Sequence, residues 1–326
     1  MLIDKHNRPH NYLRISLTEK CNLRCTYCMP EEGVQLSPKE RLMSSDEIFE
    51  MAKLFAELGV TKIRLTGGEP LLRRDVGEII QKLSTLPTEL TLTTNAFLVH
   101  HFIDDFHKAG IRSLNISLDT LNRERFYKLT KRRGFSNVMS NIELLIDEGF
   151  RVKVNVVLMR NENDDELLNF IEWTKNSDVH VRFIEFMPFD GNHWNWEKIV
   201  SFEEILNRIN RHYAVEKLAD KRHDTTKAYK VKGHIGTFAV ISSMTNHFCA
   251  SCNRLRLTAD GKIRNCLFSN EEIDLITPFR NGENLKPLIR ESLERKNFQH
   301  GGIQELEKLD SSDDHFSKRS MILIGG

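Results

Sequence analysis

This chain of 326 residues lacks any long hydrophobic run. Nothing in it approaches the roughly 18 consecutive apolar residues of a membrane-spanning helix, so no membrane partner is expected. It also lacks an excess of charge of either sign: 47 Lys and Arg stand against 46 Asp and Glu, for a formal net charge of +1. Nucleic acid is therefore not an expected partner, and any anion site has to be a local cluster of cations inside a pocket. The chain opens without a secretory h-region or an Arg- and Ser-rich transit segment, which makes a cytoplasmic protein the expectation. Low-complexity tracts are missing, as are internal repeats beyond an alternation of strands and helices. At roughly 150 residues per domain, the length suits about two domains, or one large α/β domain with an appendage.

Cysteine is scarce and confined. All six fall into two triplets, Cys21, Cys25 and Cys28 and then Cys249, Cys252 and Cys266, with none left over. A disulfide framework does not fit, because a triplet cannot pair internally without stranding one thiol. Thiolates in threes suit zinc or an iron-sulfur cluster, and three protein ligands leave one metal position open. The first triplet is spaced C-x3-C-x2-C directly after a strand, and no nearby His has the spacing of a fourth zinc ligand. The second is spaced C-x2-C-x13-C, where His247 could complete a zinc site; zinc and an open-position cluster both stay open there.

Short apolar, β-branched runs alternate with helix-like stretches from about residue 12 to 188. The strand-like runs are Tyr12 to Leu17, Thr61 to Leu65, Leu90 to Thr94, Ser113 to Leu118, Arg151 to Met159 and His180 to Met187. Helices are expected over Ser44 to Leu58, Val76 to Leu83, Val99 to Ala109, Ser136 to Asp147 and Asp164 to Thr174, the first capped by Ser44 or Ser45 and ended by Gly59. Strand-helix units in this order imply a parallel sheet with functional groups at the carboxyl ends of its strands, either open or curled into a partial barrel. After Asp190 the texture changes. GNHWNWEK looks like a loop, Phe202 to Ile209 like a helix and Lys217 to Tyr229 like a charged connector, within which Lys217 to Lys227 is assigned no role. From Gly233 short antiparallel strands are expected, with a hairpin turn at Asp260-Gly261. The division read here is a first unit over 1–230 and a second over 231–326.

Cations sit where strands are expected. In Asn253-Arg254-Leu255-Arg256-Leu257, strand alternation puts both arginines on one face and both leucines on the other. A solvated edge strand would look alike. Arg14, Lys62, Arg64, Lys153 and Arg182, however, also fall inside strand-like runs, and a cation within a parallel strand is costly unless it faces a polar pocket or a partner. A polyanion such as a nucleoside triphosphate would use several such donors at once. Ser117 shares a strand face with Asn115 and Asp119, so it too could line a cavity. Thr93 taken alone is a β-former, and Met187 taken alone is core filler.

The C-x3-C-x2-C motif with Tyr27 before its third cysteine, followed by Gly67-Gly68-Glu69-Pro70 at the end of the second strand, resembles the radical S-adenosylmethionine (SAM) enzymes. The stretches CNLRCTYCMPEEG, RLTGGEPLLRRD, NISLD, RFIEFMPFDG and FCASCNRLRLTADGKIRNCL, with the terminal Gly325-Gly326, resemble one branch nearly end to end: the GTP 3',8-cyclase family that starts molybdenum cofactor biosynthesis. The resemblance implies a partial (β/α)6 TIM-like barrel with a C-terminal α+β domain. It implies two 4Fe-4S clusters, one on each cysteine triplet, with SAM on the open iron of the first and the purine of GTP on the second. It carries SAM contacts onto Tyr27, Gly67, Gly68, Glu69, Ser117 and Met187. It carries GTP contacts onto Arg14, Lys62, Arg64, Thr93, Lys153, Arg182, Arg254 and Arg256, and catalytic roles onto Arg254, Arg256, Gly325 and Gly326.

By the same resemblance, reductive cleavage of SAM gives a 5'-deoxyadenosyl radical that removes hydrogen from C3' of GTP. The carbon radical attacks C8, and reduction gives 3',8-cyclo-7,8-dihydro-GTP. A reducing electron donor and a downstream cyclic pyranopterin synthase are implied as partners of a monomer or homodimer. One departure is visible: the family has Gly after the strand-end Thr-Thr-Asn, whereas Ala96 follows Asn95 here, and a side chain there disfavours a positive φ. Two other functions compete on the same residues. A different radical SAM enzyme with an auxiliary cluster, acting on a peptide, would not need the strand-borne cations. A non-enzymatic zinc scaffold would not need Gly-Gly-Glu-Pro at a strand end.

Overall fold

The computed structural model describes residues 1–30, 32–220, 223–302 and 319–325. Six strands follow one another in parallel register: β1 (Tyr12–Ser16), β2 (Lys62–Thr66), β3 (Glu89–Thr94), β4 (Ser113–Ser117), β5 (Arg151–Leu158) and β6 (Val179–Glu185). Helices α1 (Ser45–Glu57), α2 (Val76–Ser84), α3 (Ile103–Lys108), α4 (Arg123–Thr130), α5 (Phe135–Asp147) and α6 (Leu167–Trp173) make the crossovers. α1 shows why the local sequence folds this way. Ser44 accepts the amide of Glu47 while the Glu47 carboxylate accepts the Ser44 amide, and Ile48, Met51, Ala52 and Phe55 bury one stripe.

The strands alternate in an unusual sense. Apolar residues such as Leu13 and Ile15, Ile63 and Leu65, Leu114 and Ile116, and Val152, Val154 and Val156 are buried outward in the main hydrophobic core. The residues that alternate with such apolar positions along the strands, among them Arg14, Arg64, Asn115, Lys153, Asn155 and Arg182, face an internal cavity. A flat sheet would hold β1 and β6 about 24 Å apart at about 4.8 Å per strand. Yet Arg182 on β6, Arg14 on β1, Arg64 on β2 and Arg254 all line one cavity, and Arg182 is held down first by burial and then by the charges of the other three. The sheet is therefore curled into a partial (β/α)6 barrel.

The remaining strands extend the same sheet at both edges. Beyond β6 come β9 (Thr237–Ile241), β8 (Lys227–Val231) and β7 (Val215–Lys217); beyond β1 come β10 (Arg254–Leu257), β11 (Lys262–Arg264) and β12 (Ile273–Asp274). β10 and β9 lie parallel to β1 and β6 respectively, and the other pairings are antiparallel. The turn at Asp260-Gly261 forms, with Gly261 at φ +71 packed on Ile276. Helices α7 (Phe202–Asn210), α8 (Ile276–Arg280), α9 (Lys286–Glu294) and α10 (Met321–Ile324) complete the described chain.

Three local expectations change. The stretch expected to be a charged connector, Lys217 to Tyr229, overlaps the end of β7 and the start of β8, whose alternation is hidden because Lys217 and Lys227 both reach Asp220 on a solvated face. Helix α4 is so charged that its apolar period is faint; it is anchored by Phe126 and Leu129 and capped by Asn122. Ala96 does take a positive φ, of 62, with its side chain fully buried. Asn141 of α5 holds this corner by donating to the Ala96 carbonyl at 2.8 Å, and Asn137 donates to that of Phe97 at 3.0 Å.

This corner gives a stability prediction. Asn141→Ala strands a buried carbonyl and is expected to destabilise the fold by about 1–3 kcal/mol. In Ala96→Gly, relief of about 1–2 kcal/mol of left-handed strain is offset by loss of a buried methyl and a freer unfolded chain. Stability is then expected to change by less than about 1 kcal/mol. Denaturant unfolding of the two variants checks the contrast.

Candidate active site

The cavity enclosed by the barrel measures about 740 Å³ and is lined by residues of both cysteine triplets. The first triplet is placed by backbone bonds at the end of β1. Gly68 and Glu69 donate their amides to the carbonyls of Thr18 and Lys20 at 2.7 and 2.8 Å, continuing the β1–β2 pairing up to Cys21. The approach is too close for side chains: a Cβ on Gly68 would lie 2.4 Å from the Lys20 oxygen, and one on Gly67 2.6 Å from that of Thr18. Further along, Arg24 and Thr26 donate to the last carbonyls of α4, at Thr130 and Leu129. Cys25 closes a tight turn by accepting the amides of Cys28 and Met29 at 3.0 Å.

Two buried carboxylates brace this end. Glu69 accepts the amide of Asn95 and the hydroxyl of Thr94, each at 2.7 Å, and the amide of Leu71 at 3.1 Å. Burial outweighs these donors and raises its pKa to about 7. The Glu69 carboxylate thus ties the end of β2 to that of β3 while lining the cavity. Asp119 accepts the Tyr27 hydroxyl and the Val157 amide, both at 2.8 Å, and burial lifts it to about 6. Burial also pushes Cys21 to about 11 and Cys28 to about 12, the latter helped by the neighbouring Cys21, and holds Cys25 well above its ordinary value. Among the described residues no neighbouring cation offsets the burial of these three thiols, and a cationic metal cluster on them would supply the positive charge.

The second triplet lies on the opposite wall. Cys249 and Cys252 flank a tight turn, with the Cys252 amide donating to the Cys249 carbonyl at 3.2 Å, and Cys266 follows β11. All six cysteines are free thiols. Among the described residues, no group of three His, Cys, Asp or Glu side chains is arranged to hold a single metal ion.

Between the triplets the wall is cationic. Arg14, Arg64, Lys153, Arg182, Arg254 and Arg256 all face the cavity. Burial and then mutual repulsion hold Lys153 down to about 8, Arg182 to about 9 and Arg256 well below the usual range. Burial likewise lowers Arg14 to about 10, with Arg64 and Arg254 adding to the effect against Tyr12. Tyr12, which burial alone would raise, is brought to about 7 by Arg64, Arg14 and Arg254. Among the described residues, Arg182 Nε and Nη2 are buried with no hydrogen-bond partner. Arg64 donates to the Tyr12 oxygen and, at 3.3 Å, to Thr93 Oγ1.

The other residues singled out from the sequence are distributed as follows. Ser117 and Met187 line the cavity, with Met187 packed beside Tyr27 in a second apolar cluster around Trp194 and Phe268. Lys62 lines it too but already pairs with Glu89 at 2.7 Å. Gly325 lies at φ +73 against Ser16 and Thr66, its carbonyl accepting Arg256 Nη1 at 2.7 Å. Gly326 lies outside the described residues. Tyr12, Asn155 and His180 also line the cavity and were not singled out. Each is two positions from a strand-borne cation, on the same strand face, so the alternation itself would have found them.

Comparison with known proteins agrees with this architecture. Residues 15–174 match the radical SAM superfamily and residues 179–302 match Molybdenum Cofactor Synthesis C. The chain is 46% identical to the mitochondrial GTP 3',8-cyclase of Arabidopsis thaliana, over 100% of this chain and 84% of that one. It is 39% identical to GTP 3',8-cyclase of Listeria monocytogenes, over 100% and 99%, and 46% identical to human molybdenum cofactor biosynthesis protein 1, over 99% and 51%. The chain thus spans about half the length of the human relative. Among solved structures, SuiB of Streptococcus suis bound to S-adenosylmethionine superposes with a TM-score of 0.54 at 19% identity, over 81% of this chain and 62% of that one. The enzyme anSMEcpe with bound AdoMet and Kp18Cys peptide superposes with a TM-score of 0.55 at 13% identity, over 96% and 94%. At those identities the likeness is one of fold, and it is the relatives aligned over the whole chain that place it: the chain belongs to the GTP 3',8-cyclase family, within the radical SAM superfamily of SAM-dependent iron-sulfur enzymes.

Proposed function

We propose that this chain is a cytoplasmic enzyme that converts GTP to (8S)-3',8-cyclo-7,8-dihydroguanosine 5'-triphosphate, the first step of molybdenum cofactor biosynthesis. The observation that carries the reading is the row of buried cations between two cysteine triplets in one cavity. Buried like charges are unfavourable without a counter-ion, and a triphosphate provides one. At about 740 Å³ the cavity is of the size of small-molecule sites, and both triplets line it. The first triplet would hold the 4Fe-4S cluster that binds SAM, and the second would hold another whose open iron faces the purine.

When bound, SAM and the first cluster would supply the radical chemistry that activates C3' of the nucleotide. The chain's own residues position the partners of that reaction. Tyr27, Gly67, Gly68, Ser117 and Met187 surround the SAM end, and Glu69 holds the strand end that carries the two glycines. Arg14, Arg64, Thr93, Lys153, Arg182, Arg254 and Arg256 face the triphosphate, with Lys62 at the rim. Arg256 also fixes the tail by its bond to the Gly325 carbonyl. The unstable product would pass to a downstream cyclic pyranopterin synthase, and a reducing partner would feed the first cluster.

Anaerobic turnover of the reconstituted protein tests this directly. Formation of 5'-deoxyadenosine is expected to require GTP and not ATP, with deuterium moving from C3' into the deoxyadenosine; equal cleavage of SAM without nucleotide would contradict the substrate assignment. Arg182→Ala removes a charged donor worth about 1.5–3 kcal/mol, so Kd for GTP should rise about 10-fold to 100-fold, with SAM affinity unchanged. Binding should also move protons. A bound triphosphate favours the protonated forms of Lys153, at about 8, and Tyr12, at about 7, and so raises both pKa values. Between pH 7 and 8, GTP association is therefore expected to take up as much as about one proton per chain. Calorimetry in buffers of different ionisation enthalpy measures it, and a binding enthalpy independent of buffer would refute it.

A further inference from the structure

Beside the second cysteine triplet lies a buried ammonium that the reaction above does not use. Lys296 follows α9, is 2% exposed and does not line the cavity. Its Nζ donates to the Asn265 carbonyl, to the Arg254 carbonyl at 3.4 Å and to Cys252 Sγ at 4.0 Å. Among the described residues no carboxylate pairs with it. Asn265 precedes Cys266, and Arg254 opens the strand that follows Cys252. One ammonium therefore bridges the two limbs that carry Cys252 and Cys266.

The surroundings hold Lys296 in this place. The Asn265 side chain donates to the Ser292 carbonyl of α9 at 2.7 Å, so the end of that helix grips the Asn265–Cys266 segment twice. From the N-terminal segment, His6 Nε2 pairs with the Lys296 carbonyl at 3.1 Å. Arg8, fixed by Asp4 at 2.7 Å, donates to the Cys249 carbonyl at 2.8 Å and to that of Phe298 at 2.7 Å. A buried ammonium with only neutral acceptors is costly. Three thiolates carrying a cluster would supply the missing negative charge.

We propose that Lys296 is a positioning residue for the iron-sulfur cluster on Cys249, Cys252 and Cys266, and that its fixed charge raises that cluster's reduction potential. The inference rests on the second cluster proposed above. A nearby positive charge stabilises the more negative, reduced form of a cluster, and hydrogen bonds to its sulfurs act in the same direction. The role is distinct from that of the cavity-facing cations, because Lys296 meets the cluster's protein ligands and not the substrate.

The test uses the full-length chain with Cys21→Ser, Cys25→Ser and Cys28→Ser, reconstituted anaerobically with iron and sulfide, so that only the second triplet can hold a cluster. Lys296→Met removes the charge. Lys296→Gln removes it while keeping a donor for the Asn265 carbonyl, and carries the test if the Met variant does not fold. Both are expected to shift the midpoint potential, followed by electron paramagnetic resonance, to more negative values and to release iron to a chelator about 10-fold faster. Lys296→Arg should stay close to the parent in potential. An unchanged potential in a folded, iron-loaded Lys296→Gln chain overturns the proposal and leaves the second cluster standing. A parent chain that binds no iron, seen by metal analysis before any potential is measured, overturns both.

Discussion

Like charges buried on one face of a parallel sheet are the constraint to which this structure answers. A parallel strand covered by helices normally offers apolar side chains to both sides. Here only the outward side is apolar, and the inward side carries Arg14, Arg64, Lys153, Arg182, Arg254 and Arg256. The sheet can curl around such a face only if what lies inside is polar, anionic or both. The hydrophobic contacts of Leu13, Ile63, Leu114, Val154 and Val181 with the helical layer offset the strain, while the interior is left short of negative charge.

The two ends of the cavity answer the constraint differently. Near the first triplet two buried carboxylates, Glu69 and Asp119, are each consumed by backbone and hydroxyl donors. They shape the loop through its neighbours. Near the second triplet two buried cations, Arg8, itself paired with the buried Asp4, and Lys296, donate to carbonyls and to a thiol of the cysteine-bearing limbs. The electrostatic setting of the thiols thus differs across one cavity: burial raises Cys21, Cys25 and Cys28, whereas Lys296 and Arg254 bring Cys252 below its ordinary value in spite of burial.

Much of this was legible in the sequence, for identifiable reasons. The six parallel strands could be read because their outward apolar residues recur with period two beside charges that an ordinary buried strand would not tolerate. The cysteine triplets could be read from spacing. What escaped lay where local pattern and tertiary role part. Helix α4 has too few apolar residues to announce itself, although its last carbonyls seat the cysteine loop. β7 and β8 are disguised by lysines that serve a single aspartate. The glycines of Gly67-Gly68 look like a device for approaching a ligand, yet their close neighbour within the protein is the backbone of Thr18 to Lys20. Lys296 gives no local signal at all, since nothing near it in sequence is a cysteine.

The closing of both barrel edges by strands from the C-terminal part sets an order of events. β1 pairs with β2 after about fifty residues, but its other neighbour, β10, begins at Arg254. Contacts of such separation form late, because a long loop must close first. On a ribosome the first cysteine loop, with Gly68, Glu69 and the end of α4 already in place, can assemble while the edge of β1 is still bare and the chamber still open to the side. The part of the chain that brings the second triplet is the part that seals that opening. The walls of the first site, from β1 to α4, are thus all made before the strand that flanks β1 on its other side.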